Sequence, residues 1–156
     1  MTIGDKIPAI LGKNQAGKEI KASDFNGKKL ILYFYPKDNT PGCSAEACSL
    51  RNNYSIFQDN GYAVVGVSVD SAASHQKFIE SKNLPFDLIA DEDNRLVKEF
   101  GVWIEKTMFG NKYMRTLRQT FIINEEGVIE KIYYPQSLRT TRHGEQIRRD
   151  LIDKKA

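Results

Sequence analysis

The stretch Leu30-Ile-Leu-Tyr-Phe-Tyr35-Pro-Lys-Asp-Asn-Thr40-Pro-Gly-Cys43-Ser-Ala-Glu46-Ala-Cys48 is the part of the sequence that decides the fold. Its apolar run from Leu30 to Tyr35 predicts a strand that is covered on both faces. Thr40 is a favoured N-cap residue and Pro41 a favoured first helical residue, so we expect a helix to begin directly after the turn. This succession of strand, turn and helix would place the thiol of Cys43 in the first turn of the helix.

The sequence on either side of this stretch predicts further strands that alternate with helices. The predicted strands are Ala9–Leu11, Glu19–Lys21, Leu30–Tyr35, Ala63–Val69, Phe86–Ile89, Thr120–Ile123 and Val128–Tyr133. The predicted helices run from Thr40 or Pro41 to about Gln58, from Ser71–Ser74 to about Lys82, from Asp91 to Phe100, and from Thr141 or His143 toward Lys154. This pattern is typical of an α/β fold with a central mixed sheet flanked by helices and an N-terminal β-hairpin, in one domain over residues 1–156. The irregular stretch Trp103–Leu117 predicts a loop long enough to be functional.

The composition argues against several classes of protein. Of the residues, 40% are hydrophobic and 28% are charged, which is typical of a soluble globular domain. The net charge of +3 comes without a dense basic stripe, so nucleic-acid binding is not expected, and Arg139, Arg142, Arg148 and Arg149 are interpreted as a solvated helix face. No apolar stretch is long enough for a membrane span, and Met1–Asp5 lacks the features of a signal peptide, so we expect a cytoplasmic protein. In a reducing compartment a cysteine pair is more often catalytic or metal-binding than structural.

The two cysteines of the chain, Cys43 and Cys48, lie five residues apart on the predicted helix. On an ideal helix this spacing gives about 7.5 Å of rise and roughly 140° of rotation, so the two Cα atoms would be about 8–9 Å apart. A disulfide requires Cα atoms closer than about 7 Å. We therefore expect no bond between the two thiols while the helix is intact, and a disulfide would require part of the helix to unwind.

The position of Cys43 predicts a reactive thiol. Helix N-termini and nearby cations stabilise the thiolate, which is the form that attacks peroxides and disulfides. The hydroxyl of Thr40 could hydrogen-bond to that thiolate. Alternatives are a pair of inert, buried cysteines, or a zinc site completed by His75 and His143, although Cys-x₄-Cys exceeds the usual finger spacing. The absence of a Cys-x-x-Cys motif disfavours a simple thioredoxin-type reductase.

The run from Tyr33 to Arg51 resembles the active-site signature of the peroxiredoxins. The general pattern of that family, Pro-x₃-Thr/Ser-x₂-Cys, falls on Pro36, Thr40 and Cys43. More narrowly, the run is similar to the bacterioferritin-comigratory or peroxiredoxin Q group. Ser44 stands where that group often has threonine, and the segments that extend the similarity are Gly66-Val-Ser-Val-Asp70, Leu84-Pro-Phe86 and Arg118-x-Thr-Phe-Ile.

The resemblance implies a thioredoxin-like fold and unequal roles for the two cysteines. Cys43 would be the peroxidatic cysteine, which attacks the O–O bond and becomes a sulfenic acid. Cys48 would be the resolving cysteine, which condenses with that sulfenic acid to an intramolecular disulfide. The unwinding that the spacing requires would expose this disulfide to a reductant.

The resemblance also implies the surroundings of the peroxidatic thiol. Thr40 would hydrogen-bond the thiolate and the bound peroxide, and Pro36 would shield the pocket from water. Arg118 would pair with the thiolate and the peroxide, with Glu46 as its support. Arg115 is the alternative to Arg118 if the strand register is displaced.

The implied activity is a thiol peroxidase that reduces hydrogen peroxide and organic hydroperoxides, with thioredoxin or, alternatively, glutaredoxin as the reductant. No metal, flavin or nicotinamide cofactor is implied. A monomer is expected, with the aromatic segment Trp103–Tyr113 as a surface that could mediate a weak dimer. Two other functions stay open: a redox-sensing or chaperone switch, and a metal-binding protein on the same scaffold. Neither has need of a peroxide-orienting donor set such as Thr40 and Arg118.

Overall fold

The computed structural model describes residues 1–153 of the chain. The strands are β1 (Ile10–Lys13), β2 (Glu19–Lys21), β3 (Lys29–Phe34), β4 (Tyr62–Ser68), β5 (Asp87–Ala90), β6 (Trp103–Met108), β7 (Asn111–Thr116), β8 (Gln119–Ile123) and β9 (Ile129–Tyr133). The helices are α1 (Pro41–Asn52), α2 (Tyr54–Asp59), α3 (Ala72–Lys82), α4 (Arg95–Glu99) and α5 (His143–Leu151). Short 3₁₀ turns cover Ala22–Phe25 and Thr140–Arg142.

The central sheet has five strands in the order β5-β4-β3-β8-β9. β3, β4 and β5 are parallel, whereas β8 and β9 run antiparallel to their neighbours, so the prediction of a mixed α/β sheet is confirmed. The buried side chains of β3 alternate between two apolar clusters, one on each face. Leu32 and Phe34 pack in the cluster that includes residues of the β1–β2 hairpin and α4. Ile31 and Tyr33 pack in the cluster that includes Cys43 of α1.

The prediction of a loop over Trp103–Leu117 is wrong, because this segment forms the β6–β7 hairpin. Phe109 and Gly110 make its turn with φ angles of 51° and 80°, as expected for a tight two-residue turn. Most side chains of both strands are exposed, so the alternation of apolar and polar residues that usually marks a strand is missing.

The first helix was predicted as one continuous element, but it is divided into α1 and α2 at Asn53. The buried side-chain amide of Asn53 donates to the carbonyl oxygen of Ser49 at 2.9 Å. Such side-chain bonds compete with the backbone hydrogen bonds of a helix. The predicted starting point at Thr40 or Pro41 is confirmed.

Two further helix predictions are correct in type and differ in extent. The helix expected from Asp91 begins only at Arg95, because the Asp91 carboxylate accepts the backbone N–H groups of Leu96 and Val97. The last helix begins at His143, as predicted, and ends at Leu151, before the predicted end toward Lys154, which lies outside the described residues. In residues 1–153, no helix combines the length and apolar character that a membrane crossing needs.

Candidate active site

Cys43 occupies the third position of α1, which follows the buried strand β3 after a short turn. Its side chain is 1% exposed and lies at a helix N-terminus, where unpaired N–H groups and the helix dipole favour negative charge. Gly42 precedes it, and a Cβ atom there would come within 3.2 Å of an Arg118 nitrogen. The glycine therefore lets the arginine approach the helix closely.

Arg118 reaches this thiol because of the sheet topology. It directly precedes β8, and β8 pairs with β3 so that Gln119 faces Phe34, the last residue of β3. Its Nη2 lies 3.2 Å from Cys43 Sγ, and its Nη1 donates to Glu46 Oε1 at 2.9 Å. Arg115 instead lies exposed on β7, so the arginine that contacts the thiol is Arg118.

Two opposing effects act on the pKa of Arg118. Burial lowers this pKa, but Glu46 and Cys43 together outweigh burial, and the net pKa is raised. The guanidinium is therefore a permanent cation that is shared between a thiol and a carboxyl group. This arrangement can stabilise a thiolate and the negative charge that develops on an oxygen beside it.

Glu46 lies one turn after Cys43, and its side chain is completely buried. Burial raises its pKa to about 7, and the opposing effect of Arg118 is smaller. Only Oε1 receives a hydrogen bond; within residues 1–153, Oε2 has no hydrogen-bond partner and lies 4.0 Å from His143 Nε2. His143, on α5, is equally buried, and burial lowers its pKa to about 4.

The structure brings Cys43, Glu46 and Arg118 into contact, and the other predicted residues lie on the turn before α1 or on α1 itself. The hydroxyl of Thr40, the N-cap residue, donates to the carbonyl oxygen of Lys37 at 2.9 Å and makes no capping bond. Pro36 is half-buried in the turn after β3. Among residues 1–153 the Thr40 hydroxyl forms no hydrogen bond with the thiol of Cys43, so its predicted role stays a prediction.

Cys48 is half-buried on α1, and both cysteines are free thiols. Their place on one uninterrupted helix agrees with the predicted need for unwinding. The next residue, Ser49, accepts the backbone N–H of Gly144 at 2.9 Å. A Cβ atom on Gly144 would overlap the Ser49 carbonyl, so α5 is packed against the backbone of α1 immediately after Cys48.

A buried polar network fixes the turn between β3 and α1, and none of its members was singled out for this purpose from the sequence. Asp38 accepts from Tyr35 Oη at 2.6 Å and lies 2.7 Å from His75 Nδ1. Its own backbone N–H donates to the carboxylate of Asp70 at 2.8 Å. The one available signal was a carboxylate in the short polar turn that follows the apolar run of β3. This network fixes the turn 35–40, which ends at Thr40, the N-cap residue of α1.

The two histidines that were considered as zinc ligands serve different networks. His75 contacts Asp38 and the carbonyl oxygen of Ile89, whereas His143 contacts Thr120 Oγ1 at 2.8 Å. In the part of the chain that the structure describes, no group of three or more His, Cys, Asp or Glu side chains is arranged to hold a metal ion.

Comparisons with known proteins agree with this geometry. Residues 3–132 match the AhpC/TSA family. The chain is 45% identical over 129 residues to the peroxiredoxin Bcp of Bacillus subtilis strain 168. These residues cover 83% of this chain and 82% of that protein. A cysteine-to-serine variant of Xylella fastidiosa PrxQ superimposes with a TM-score of 0.89 at 32% identity, over 100% of this chain and 98% of that one. The Xanthomonas campestris bacterioferritin comigratory protein was studied for alkyl peroxide reduction in trapped intermediate and ligand complexes. It superimposes with a TM-score of 0.84 at 28% identity, over 92% of this chain and 90% of that one.

Proposed function

The chain belongs to the AhpC/TSA family and is a thiol peroxidase of the peroxiredoxin Bcp and Q group, and on this basis we propose the role of each residue in its site. Cys43 is the nucleophile. The observation that carries this assignment is the 3.2 Å contact between Arg118 Nη2 and a buried thiol at a helix N-terminus.

In the first step the Cys43 thiolate attacks the terminal oxygen of a hydroperoxide. An S–O bond forms, the O–O bond breaks, and the departing oxygen takes up a proton to leave as water or an alcohol. The sulfur is oxidised to a sulfenic acid, and the hydroperoxide is reduced. Because negative charge moves from sulfur to the leaving oxygen, a fixed cation beside both atoms stabilises the transition state more than the ground state.

Four residues prepare this step around the thiolate. Arg118 supplies the cation, and Glu46 holds its second nitrogen. Thr40 turns its hydroxyl from the Lys37 carbonyl toward the thiolate and the peroxide when substrate is bound. Pro36 covers the pocket and limits the access of water.

In the second step the Cys48 thiol attacks the sulfenic acid, a disulfide forms, and water leaves. Because both cysteines lie on α1, the segment from Cys43 to Cys48 must unwind first. Ser49 is held by Gly144 of α5, so we propose that unwinding stops there and that Cys48 is the last residue of α1 to be released.

A thioredoxin-type dithiol protein reduces the disulfide and closes the cycle, with thioredoxin preferred over glutaredoxin. Hydrogen peroxide and organic hydroperoxides are the proposed substrates, because the attacked oxygen is common to both. We propose that the enzyme works as a monomer in the cytoplasm, where both thiols stay reduced between turnovers.

The experiment that tests this function follows NADPH oxidation with thioredoxin reductase, thioredoxin and a series of hydroperoxides. The wild-type protein is expected to consume NADPH in proportion to added peroxide. Cys48→Ser is expected to keep the first oxidation and lose thioredoxin-supported turnover, because no internal thiol can resolve the sulfenic acid. Unchanged multiple turnover by Cys48→Ser with thioredoxin would show that resolution does not need this cysteine.

A further inference from the structure

His75, in the first turn of α3, faces a hydrogen-bond acceptor with each of its ring nitrogens. The side chain is completely buried. Its Nε2 lies 2.9 Å from the carbonyl oxygen of Ile89, which can only accept, so Nε2 carries a proton. Its Nδ1 lies 2.7 Å from Oδ2 of Asp38, in the turn that leads to Cys43. The ring therefore stands between the active-site turn and the strand β5.

A proton also lies between Nδ1 and Asp38. Without it, the lone pairs of Nδ1 and Oδ2 would repel each other at this distance. The buried Asp38 carboxylate accepts from Tyr35 Oη at 2.6 Å and from Ser74 Oγ at 2.8 Å as well. Three donors around one carboxylate suit its ionised form, which is stable away from water only when it is paired and hydrogen-bonded. His75 thus donates from both nitrogens, to Asp38 on one side and to Ile89 on the other.

This link fixes the turn to the central sheet at two points. Ile89 is a fully buried residue of β5, which pairs with β4. The backbone N–H of Asp38 donates at 2.8 Å to the carboxylate of Asp70, which lies two residues after the end of β4. The side chain and the backbone of Asp38 are therefore held from two neighbouring strands.

The position of Asp38 determines where α1 begins, because only four residues separate it from Cys43. The first of these, Asn39, adopts a left-handed φ of 59°, and the second, Thr40, is extended with a ψ of 154° as the N-cap. The backbone N–H of Ser44 then donates to the carbonyl oxygen of Thr40 at 2.8 Å. A shift of Asp38 would be passed through this short segment to the first turn of the helix.

We propose that His75 is a positioning residue for peroxide reduction, which holds Asp38 and thereby places the Cys43 thiol against Arg118. The proposal rests on the proposed peroxidase function and deepens it. Cys43 and Arg118 belong to different segments, so the 3.2 Å between Sγ and Nη2 depends on where each segment is held. A misplacement of about 1 Å can slow an enzyme about a hundredfold. His75 contacts neither the thiol nor the peroxide and transfers no proton to them.

The same link sets one boundary of the segment that unwinds for disulfide formation. Asp38 is held by side chains outside α1, and these bonds do not depend on the helix. At the other end, Ser49 is held by Gly144 of α5. The segment that unwinds therefore lies between these two anchors, and the anchored turn is the base on which α1 forms again after reduction.

The test compares two replacements that keep different halves of the imidazole. An asparagine amide can place an N–H where Nδ1 stands, whereas a glutamine amide can place one where Nε2 stands. His75→Asn should keep the donor to Asp38, and His75→Gln only the donor to Ile89. In stopped-flow oxidation by hydrogen peroxide, we expect a rate loss of roughly 10–100-fold for His75→Gln and of less than about threefold for His75→Asn.

Ile79→Ala is the matched control for a loosened α3. The side chain of Ile79 packs against the same apolar cluster as Tyr35, but it offers no hydrogen bond to Asp38. This variant should oxidise at the rate of the wild type. The proposal is overturned if His75→Gln oxidises at the wild-type rate, if His75→Asn loses as much as His75→Gln, or if Ile79→Ala is slowed equally.

Hydrogen exchange of the wild type provides a second readout that needs no variant. In the disulfide form, the Ser44 amide should lose its protection, because its bond to Thr40 belongs to the unwound helix. The Asp38 amide should stay as protected as in the reduced protein. Loss of protection at both amides would show that the turn opens with the helix and would contradict the proposal. A wild type that oxidises no thiol on adding peroxide would instead refute the peroxidase function, so the two failures are distinguishable.

Discussion

Replacing Cys43 with serine is expected to abolish hydroperoxide reduction. A serine hydroxyl stays protonated at neutral pH, so the variant lacks the nucleophile that attacks the O–O bond. We expect a loss of more than about a thousandfold in the coupled assay, down to the uncatalysed rate, which is larger than the loss from removing one stabilising donor. Peroxide consumption in the presence of thioredoxin and NADPH measures it directly.

Serine fits the space of the buried Cys43 side chain, so the variant should keep the fold and the thermal stability of the wild type to within about 1 kcal/mol. Cys48→Ser is the matched control, because it makes the same atomic change five residues further along the same helix. It should still be oxidised once by peroxide, whereas Cys43→Ser should not. Undiminished activity of folded Cys43→Ser would refute the assignment of the nucleophile.

Replacing Arg118 with alanine is expected to have the second-largest effect. The guanidinium lies 3.2 Å from Cys43 Sγ and is the cation that stabilises both the thiolate and the leaving oxygen. Removing one such preorganised donor typically costs about 10²–10³ in rate, and we expect that slowing in the oxidation step. Stopped-flow oxidation of the reduced protein by hydrogen peroxide isolates this step from disulfide formation and recycling.

Arg115→Ala is the matched control for charge and for length of side chain. Arg115 lies exposed on β7, three residues before Arg118, and pairs across the hairpin with Ile104. Its replacement should change the oxidation rate by less than about twofold, as expected for a surface position. Equal rates for Arg118→Ala and the wild type, or an equal loss in Arg115→Ala, would refute the role of Arg118.

Local features of the fold could be predicted from the sequence. The apolar run Leu30–Tyr35 and the Thr-Pro-Gly turn act over a few residues, so β3, the start of α1 and the place of Cys43 in its first turn follow from the pattern. Arg118 could be predicted because a recognisable motif carries it. The exposed β6–β7 hairpin could not be predicted, because strands without a buried face lack the periodic apolar signal.

The buried side chains behind the active site are brought together by contacts between segments that are distant in the sequence. His143 follows Glu46 by almost a hundred positions, and only the packing of α5 on α1 brings the two together. Asp38 and His75 meet in the same way, through the packing of α3 beside the active-site turn. A single sequence gives no measure of such distances, and in the C-terminal helix only His143 carried a functional expectation, as a possible zinc ligand.

The most direct test of the unequal roles of Cys43 and Cys48 treats the reduced protein with one equivalent of hydrogen peroxide, quenches it with acid and identifies the products by mass spectrometry. The wild type is expected to lose two hydrogen atoms in an internal Cys43–Cys48 disulfide. Cys48→Ser is expected to gain one oxygen atom on the peptide that contains Cys43, and Cys43→Ser is expected to gain none on Cys48. Oxygen on Cys48 of the Cys43→Ser variant at the wild-type rate, or a wild type without the internal disulfide, would contradict these roles.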